Sequence, residues 1–291
     1  MLWDSLSTLP VSAYIPLILV FAATVAILGT FSGVGGGVLH IPVMVWVLTE
    51  IDLKEIKFIS TILVFASALI NTAIAMYKKE INYWIMIVAV VVATPTIFLG
   101  NYINNLINSG ITEIIIVILL SYVTIQLIIN QYVFKKRSVE QNMQRRWYHI
   151  YLQKNGKLVN GFFLCLVVVI AGMVTSLTGM GGGVILMPFL ILVIKLNIKD
   201  SAPISHSIIL ITSFLTIIIE STMGNENYFK DSHAMINVTT PMICGAVAGT
   251  VAAAFLKRFI KKEVVILWIL IVLIWASIAK MIYDLSINGI N

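Results

Sequence analysis

Charge is scarce in this chain. Only 11% of its 291 residues are Asp, Glu, Lys or Arg and 59% are hydrophobic, which leaves too little polar surface to coat a water-soluble globule. The mean hydropathy of +1.00 agrees. An integral membrane protein is expected, with lipid as its first partner. A net charge of +6 and a pI near 9.2 would suit nucleic acid, but the basic residues sit in short clusters between apolar runs, as cytoplasmic loops do. No nucleic-acid partner is therefore expected. Cysteine is nearly absent too: Cys165 and Cys244 lie in apolar segments without CxxC or Cys/His spacing, which excludes a disulfide framework and a zinc site and leaves them as small packing residues. The opening MLWDSLSTLPVSAYIPLILV has neither a basic n-region nor a small-residue cleavage site, so the first apolar run is expected to stay as a membrane segment.

What is present is apolar sequence in long runs. Runs of spanning length, about twenty residues, cover roughly 11–31, 56–77, 83–103, 111–134, 158–178, 203–222, 235–256 and 263–284. Two shorter runs, 38–48 and 184–195, follow glycine clusters and cannot cross as straight helices at about 1.5 Å per residue. The polar stretch 135-KKRSVEQNMQRRWYHIYLQKNGK-157, with seven Lys/Arg against one Glu, divides the chain into a first membrane repeat (1–134), a basic linker (135–157) and a second membrane repeat (158–291).

The halves are duplicates. The segment 32-SGVGGGVLHIP-42 recurs as 178-TGMGGGVILMP-188, and Gly33/Gly179, Gly35/Gly181, Gly36/Gly182, Gly37/Gly183, Val38/Val184 and Pro42/Pro188 all pair at an offset of 146. The same offset pairs Thr61 with Ser207, Ser67 with Ser213, Thr94 with Thr240 and Pro95 with Pro241. Chance glycine richness would not carry this register into later segments. Repeats of this kind mark secondary transporter folds.

Loop charge orients the repeats. The linker and 257-KRFIKKE-263, with four Lys/Arg, both belong in the cytoplasm, which requires an even number of crossings between them. Four result if each glycine break is a reversal with two arms. That count puts 78-KKE-80 inside and the uncharged 101-NYINNLINSG-110 outside, opposite in character to its repeat counterpart 257–263; the net-acidic 221-STMGNENYFKD-231 also falls outside. The expected fold is an all-α polytopic membrane protein of two inverted repeats, five segments each, with both termini outside.

The glycine breaks have a physical consequence. An unpaired backbone N–H or C=O in hydrocarbon costs several kcal/mol, so a break is tolerated only where it is buried in protein or lines a polar cavity. A helix restarting there points free N–H groups and a positive dipole end at the break, and two inverted copies would bring two such ends together around a small anion. A single GxGGG would favour close helix packing instead, and two copies at one offset, each followed by Pro, favour the break. Nothing in the repeat cores suits a cation, since they hold no paired carboxylates and Glu113 and Glu220 lie at segment ends. No Lys-Ser/Thr follows either cluster, so neither phosphate binding of the Walker type nor ATP is implied.

At these residues the sequence resembles the sulfite exporter TauE/SafE family of membrane transporters, whose halves each carry a G-x-G-G-G-x-x-x-x-P segment, here 33-GVGGGVLHIP-42 and 179-GMGGGVILMP-188. The resemblance spans essentially the whole chain. It implies movement of small sulfur-containing oxoanions, such as sulfite, sulfoacetate and other organosulfonates, across a bacterial or archaeal cytoplasmic membrane. Many members carry a G-T-S-type stretch in the next helix; here the matching positions read 59-IST-61 and 204-ISHS-207, so the cargo stays open.

The candidate substrate-binding residues are therefore Ser32, Gly33, Gly35, Gly36, Gly37, His40, Ser60 and Thr61 in the first repeat. In the second they are Thr178, Gly179, Gly181, Gly182, Gly183, Ser205, His206 and Ser207. Ser32 and Thr178 precede the breaks and suit the freed backbone groups as partners. His40 and His206, the latter at the register position of Ser60, would bind an oxoanion when protonated or relay protons, and a satisfied structural histidine is the alternative for each. The serine and threonine hydroxyls would donate to an oxoanion, or bond back to their own helices. Pro95 and Pro241 are candidate kinks for gating, with packing as the alternative. Lys195 and Lys280 read as snorkelling anchors, and Trp3, Tyr14, Tyr83, Trp84, Tyr228 and Tyr283 as interfacial belts.

The expected function is alternating-access transport of a sulfur oxoanion, in the export direction, with no catalytic residues, no metal and no cofactor beyond proton or ion coupling. An anion channel, or a carrier for another small organic anion, is the alternative. A membrane enzyme is a weaker third reading, because no nucleophile–base pair, metal cluster or cofactor motif appears. The topology is testable with single cysteines at 140–150 on a background lacking Cys165 and Cys244. They should react with a membrane-impermeant thiol reagent only when the cytoplasmic face is exposed; labelling from outside alone would overturn it.

Overall fold

The computed structural model describes residues 11–32, 36–47, 52–81, 83–133, 149–151, 158–192, 196, 198–223, 232–256 and 263–288. Among them the first half forms α1 (Val11–Ser32), α2 (Gly37–Val47), α3 (Leu53–Tyr77), α4 (Tyr83–Leu106) and α5 (Ser109–Val133). The second half forms α6 (Gly161–Thr178), α7 (Gly183–Leu192), α8 (Ile198–Met223), α9 (Ser232–Leu256) and α10 (Glu263–Asn288). The fold is all-α and polytopic. Apolar sequence gives helices here because hydrocarbon offers the backbone no partners, so each segment must bond to itself.

Most boundaries fall within a few residues of the apolar runs, with one informative exception. The run from 158 begins not as helix but as a short strand, Leu158–Asn160 (β2), paired antiparallel with His149–Tyr151 (β1), His149 opposite Asn160. The helix starts only at Gly161, where the Asn160 side chain caps it by accepting from the Phe162 N–H at 3.0 Å. A local cap has overridden the hydropathy pattern. Both prolines singled out above, Pro95 and Pro241, lie inside continuous helices, α4 and α9.

Among the described residues, six helical segments are long and apolar enough to cross a membrane by length and composition: Leu53–Tyr77, Tyr83–Leu106, Ser109–Gln126, Gly161–Thr178, Asp200–Thr222 and Val238–Leu256. Their outward faces carry exposed Trp84, Val91, Phe162, Phe214 and Phe255, an arrangement suited to lipid. Tyr83 and Tyr283 are exposed as well, whereas the side chains of Trp3, Tyr14 and Tyr228 lie outside the described residues. Cys244 is exposed on α9 and Cys165 half-buried on α6, so Cys244 is not the interior packing residue its apolar surroundings suggested.

The helix packing repeats under exchange of the two halves. The pair α1–α9 maps onto α6–α4, α4–α8 onto α9–α3, α2–α3 onto α7–α8, and α2–α10 onto α7–α5. The pairs α3–α8 and α5–α10 map onto themselves. At the centre, α3 and α8 run antiparallel: Phe65 stacks on Phe214 with centroids 5.7 Å apart, and Lys57, earlier in α3, is linked electrostatically to Glu220, later in α8.

Small residues set the closest approaches. On α9, Gly245 and Gly249 face the carbonyls of Leu19 and Ala23 on α1, so that any β-carbon would strike backbone. The counterpart pair α4–α6 uses Gly100 against Ser176 and Gly172 against Thr96. This 245-GAVAG-249 pattern was not among the sequence candidates. Gly249→Leu should lower stability in mixed micelles by about 1–3 kcal/mol through overpacking, while Cys244→Ala, exposed on the same helix, should stay within about 0.5 kcal/mol. Equal effects in reversible unfolding would contradict the assigned interface.

Candidate functional site

The second glycine cluster is described throughout. α6 ends in a left-handed residue, Gly179 (φ 68), whose N–H returns to the Thr175 carbonyl at 2.8 Å. Gly181 is left-handed as well (φ 71), and α7 begins two residues later at Gly183. Two such conformations within three residues suit only glycine. Thr178 serves the break in two ways: its hydroxyl donates to the Val174 carbonyl at 2.7 Å and accepts from the Met180 N–H at 3.3 Å. Its neighbours leave no room either, since a β-carbon at Gly179 would lie 2.5 Å from the Lys57 carbonyl oxygen and one at Gly182 the same distance from the Ala171 β-carbon.

The two half-length helices start alike. In α2 the N–H groups of Leu39 and His40 both donate to the Gly36 carbonyl at 3.0 Å. In α7, Ile185 and Leu186 donate to the Gly182 carbonyl at 3.1 and 3.0 Å. Each of these residues pairs with its counterpart at the 146 offset. Gly37, Val38, Gly183 and Val184 thus carry first-turn N–H groups that their own helices do not use.

The start of α2 meets the second break. The Met180 carbonyl, in the middle of the second break, lies directly against Gly37 at the beginning of α2. Val64 of α3 is wedged beside both, its Cγ2 and Cγ1 each 2.7 Å from where β-carbons of Gly37 and Gly181 would stand. The glycines therefore permit both the chain break and the backbone contact that buries it. Gly33 and Gly35 lie outside the described residues, as does the Ser32 side chain.

The polar side chains around the breaks divide by what they hold. Ser60 on α3 donates to the Gly179 carbonyl at 3.0 Å, tying a central helix to the second break. Thr61 and Ser207 donate back to the Lys57 and Ile204 carbonyls of their own helices, at 2.9 and 2.8 Å. Each hydroxyl has a single proton, so these three are committed. Among the described residues the Ser205 hydroxyl has no hydrogen-bond partner, and it is buried. His40 stands out further: it is 1% exposed, neither ring nitrogen has a hydrogen-bond partner among the described residues, and its Cε1 sits 2.6 Å from where a Gly36 β-carbon would be. His206 is buried on α8, at the register position that Ser60 holds on α3.

Two polar contacts escaped the sequence. Lys57 is 3% exposed within α3, and its Nζ donates to Asn104 Oδ1 of α4 at 2.6 Å. Its position between Glu55 and Phe58 in an otherwise ordinary amphipathic first turn hid this burial. Lys280, read as a snorkelling anchor, instead points inward and donates from Nζ to the Val45 carbonyl at 2.8 Å, at the C-terminal end of α2. A cation there complements the negative end of the half-length helix. The Lys195 side chain is outside the described residues.

Long apolar helices, with two half-length helices of which one starts at the second break and the other starts against it, define a multi-pass membrane transporter. The sequence model described as sulfite exporter TauE/SafE matches residues 4–150 and 164–288, and the chain belongs to that family. It is also 26% identical over 220 residues to a probable membrane transporter protein of Methanocaldococcus jannaschii, covering 74% of this chain and 75% of that one. No solved structure matches it significantly.

Ser60→Ala should cost about 1 kcal/mol in reversible unfolding, the net worth of a typical buried hydrogen bond. Thr61→Val should cost less, because the Lys57 carbonyl that Thr61 reaches also has the helix for a partner. The reverse order would mean that the tie to Gly179 holds nothing.

Proposed function

We propose that this transporter is a secondary carrier that moves small sulfur-containing oxoanions, sulfite or an organosulfonate such as sulfoacetate, across the cytoplasmic membrane by alternating access, in the export direction. The observation that carries the reading is the start of α2 lying against the second break, with matching first-turn bonds in α2 and α7, beside a buried His40 whose ring nitrogens have no hydrogen-bond partner among the described residues. In low-dielectric surroundings such ends favour an anion, and first-turn N–H groups supply its donors. His40 and Ser205 add side-chain donors, while Ser32, Thr178 and the glycines Gly33, Gly35, Gly36, Gly37, Gly179, Gly181, Gly182 and Gly183 shape the backbone. Ser60, Thr61 and Ser207 position helices instead, and His206 tunes the site from α8.

The antiparallel pairing of α3 with α8, counterparts at the 146 offset, supports inverted repeats. The linker is then cytoplasmic and both termini are outside. Rocking one repeat against the other would part the Gly37–Met180 contact and expose the breaks to each side in turn. The cargo is moved unchanged, without cofactor or metal.

Purified protein in liposomes should take up sulfite or sulfoacetate with saturation and show counterflow, and folded His40→Ala protein should transport at least about tenfold more slowly, the loss of a hydrogen bond to a charged group. Macroscopic current without counterflow would point to a channel. Equal rates for acetate and the sulfur oxoanions would overturn the cargo.

A further inference from the structure

The buried apolar residues form two cores. The first takes in α1, α2, α5, α9, α10 and the early part of α3, with Ile56 and Ile59. The second takes in α4, α6, α8 and the later part of α3, with Val64 and Ala68. Only α7 supplies buried residues to both along its whole length, Val184 to one and Leu186 to the other. A seam between the cores therefore passes between the start of α3 and the end of α4.

A charged contact crosses the seam there. Lys57, flanked by the first-core residues Ile56 and Phe58, donates from Nζ to Oδ1 of Asn104 at 2.6 Å, on a helix of the second core. The two residues are 3% and 7% exposed. A hydrogen bond with an ionised donor is roughly twice as strong as a neutral one. Ser60, one turn further along α3, reaches across as well, to the Gly179 carbonyl just past α6.

The opposite end lacks the counterpart of this contact. At the 146 offset, Lys57 and Asn104 correspond to Pro203, near the start of α8, and Thr250, near the end of α9. Pro203 has no side-chain donor, and the Thr250 hydroxyl gives its single proton to the Ala246 carbonyl of its own helix at 2.7 Å. Duplication made the two ends alike, and a charged hydrogen bond closes one of them. Stability alone does not call for it, since apolar residues of the same volume often serve as well as a buried charged contact.

We propose that the Lys57–Asn104 bond is a latch that holds shut the end of the carrier where α3 begins and α4 ends, and so favours the conformation open at the other end. This rests on the alternating-access reading above, whose topology makes the latched end the outer one. Alternating access needs a seam that parts at one end while it holds at the other. Opening the latched end exchanges the bond for water, which shifts the equilibrium by about tenfold or more, the worth of a hydrogen bond to a charged group.

Two reporter cysteines, on a background lacking Cys165 and Cys244, read the two ends. Asn101→Cys lies one turn before Asn104 on α4, and Ala253→Cys one turn past Thr250 on α9; the native side chains are 6% and 0% exposed. In lipid nanodiscs, where a thiol reagent reaches both faces, Lys57→Met should raise the labelling rate at Asn101→Cys at least about tenfold. The rate at Ala253→Cys should stay level or fall, because population gained at one end is lost at the other. Asn104→Asp keeps an acceptor for the ammonium and should leave Asn101→Cys as slow as in the parent protein. Lys57→Met combined with Asn104→Leu removes both partners and should behave as Lys57→Met does, which provides the test where the single variant fails to fold. Both reporters rising together would show general loosening and overturn the latch. So would an unchanged Asn101→Cys rate in folded protein, or Asn104→Asp as reactive as Lys57→Met. Failure of the wild type to show counterflow of sulfite or sulfoacetate in liposomes would overturn the carrier reading itself.

Discussion

Backbone groups exposed to hydrocarbon are the constraint on which this structure turns. A helix can be broken inside a membrane only if something other than water receives the freed N–H and C=O groups. Here the start of α2 shelters the second break: the Met180 carbonyl lies on Gly37, Val64 fills the angle between them, and Thr178 and Ser60 hold the rest of that break. Glycine is needed for that contact as much as for the left-handed turns, because at Gly37, Gly179 and Gly182 a β-carbon would collide with neighbouring backbone. A centre held by backbone contact between halves is also one that relative movement of the halves can open.

Exchange symmetry explains most of the remaining architecture. Helices that correspond at the 146 offset pack on corresponding partners, and the cap bonds of α2 and α7 are copies. The departures carry the chemical interest. His40 stands where the second repeat has Leu186, His206 where the first has Ser60, and Lys57 where the second has Pro203. Duplication supplied a symmetric scaffold, and polar residues placed in one half only gave its two ends different properties.

Much of the fold was legible because hydrocarbon makes hydropathy and helix nearly the same property. Ten apolar runs became ten helices among the described residues, with ends displaced by a few positions. The displaced start of α6 reflects a local hairpin and the Asn160 cap, to which average hydropathy is blind. Of the candidate site, the breaks and His40 were visible as pattern. The commitment of Thr61 and Ser207 to their own helices was visible only as a general tendency of hydroxyls in helices.

Composition, the duplicated glycine segment and the basic linker by themselves determined a polytopic membrane chain of two related halves, because these depend on local transfer energy and on register within the chain. Only the tertiary structure decided that the start of α2 lies on the second break, that Lys280 reaches the end of α2, and that Lys57 meets Asn104. Asn104 lies 47 positions from Lys57 along the chain. Their meeting depends on how two helices rotate about their axes when they pack, and nothing local in the sequence encodes that angle.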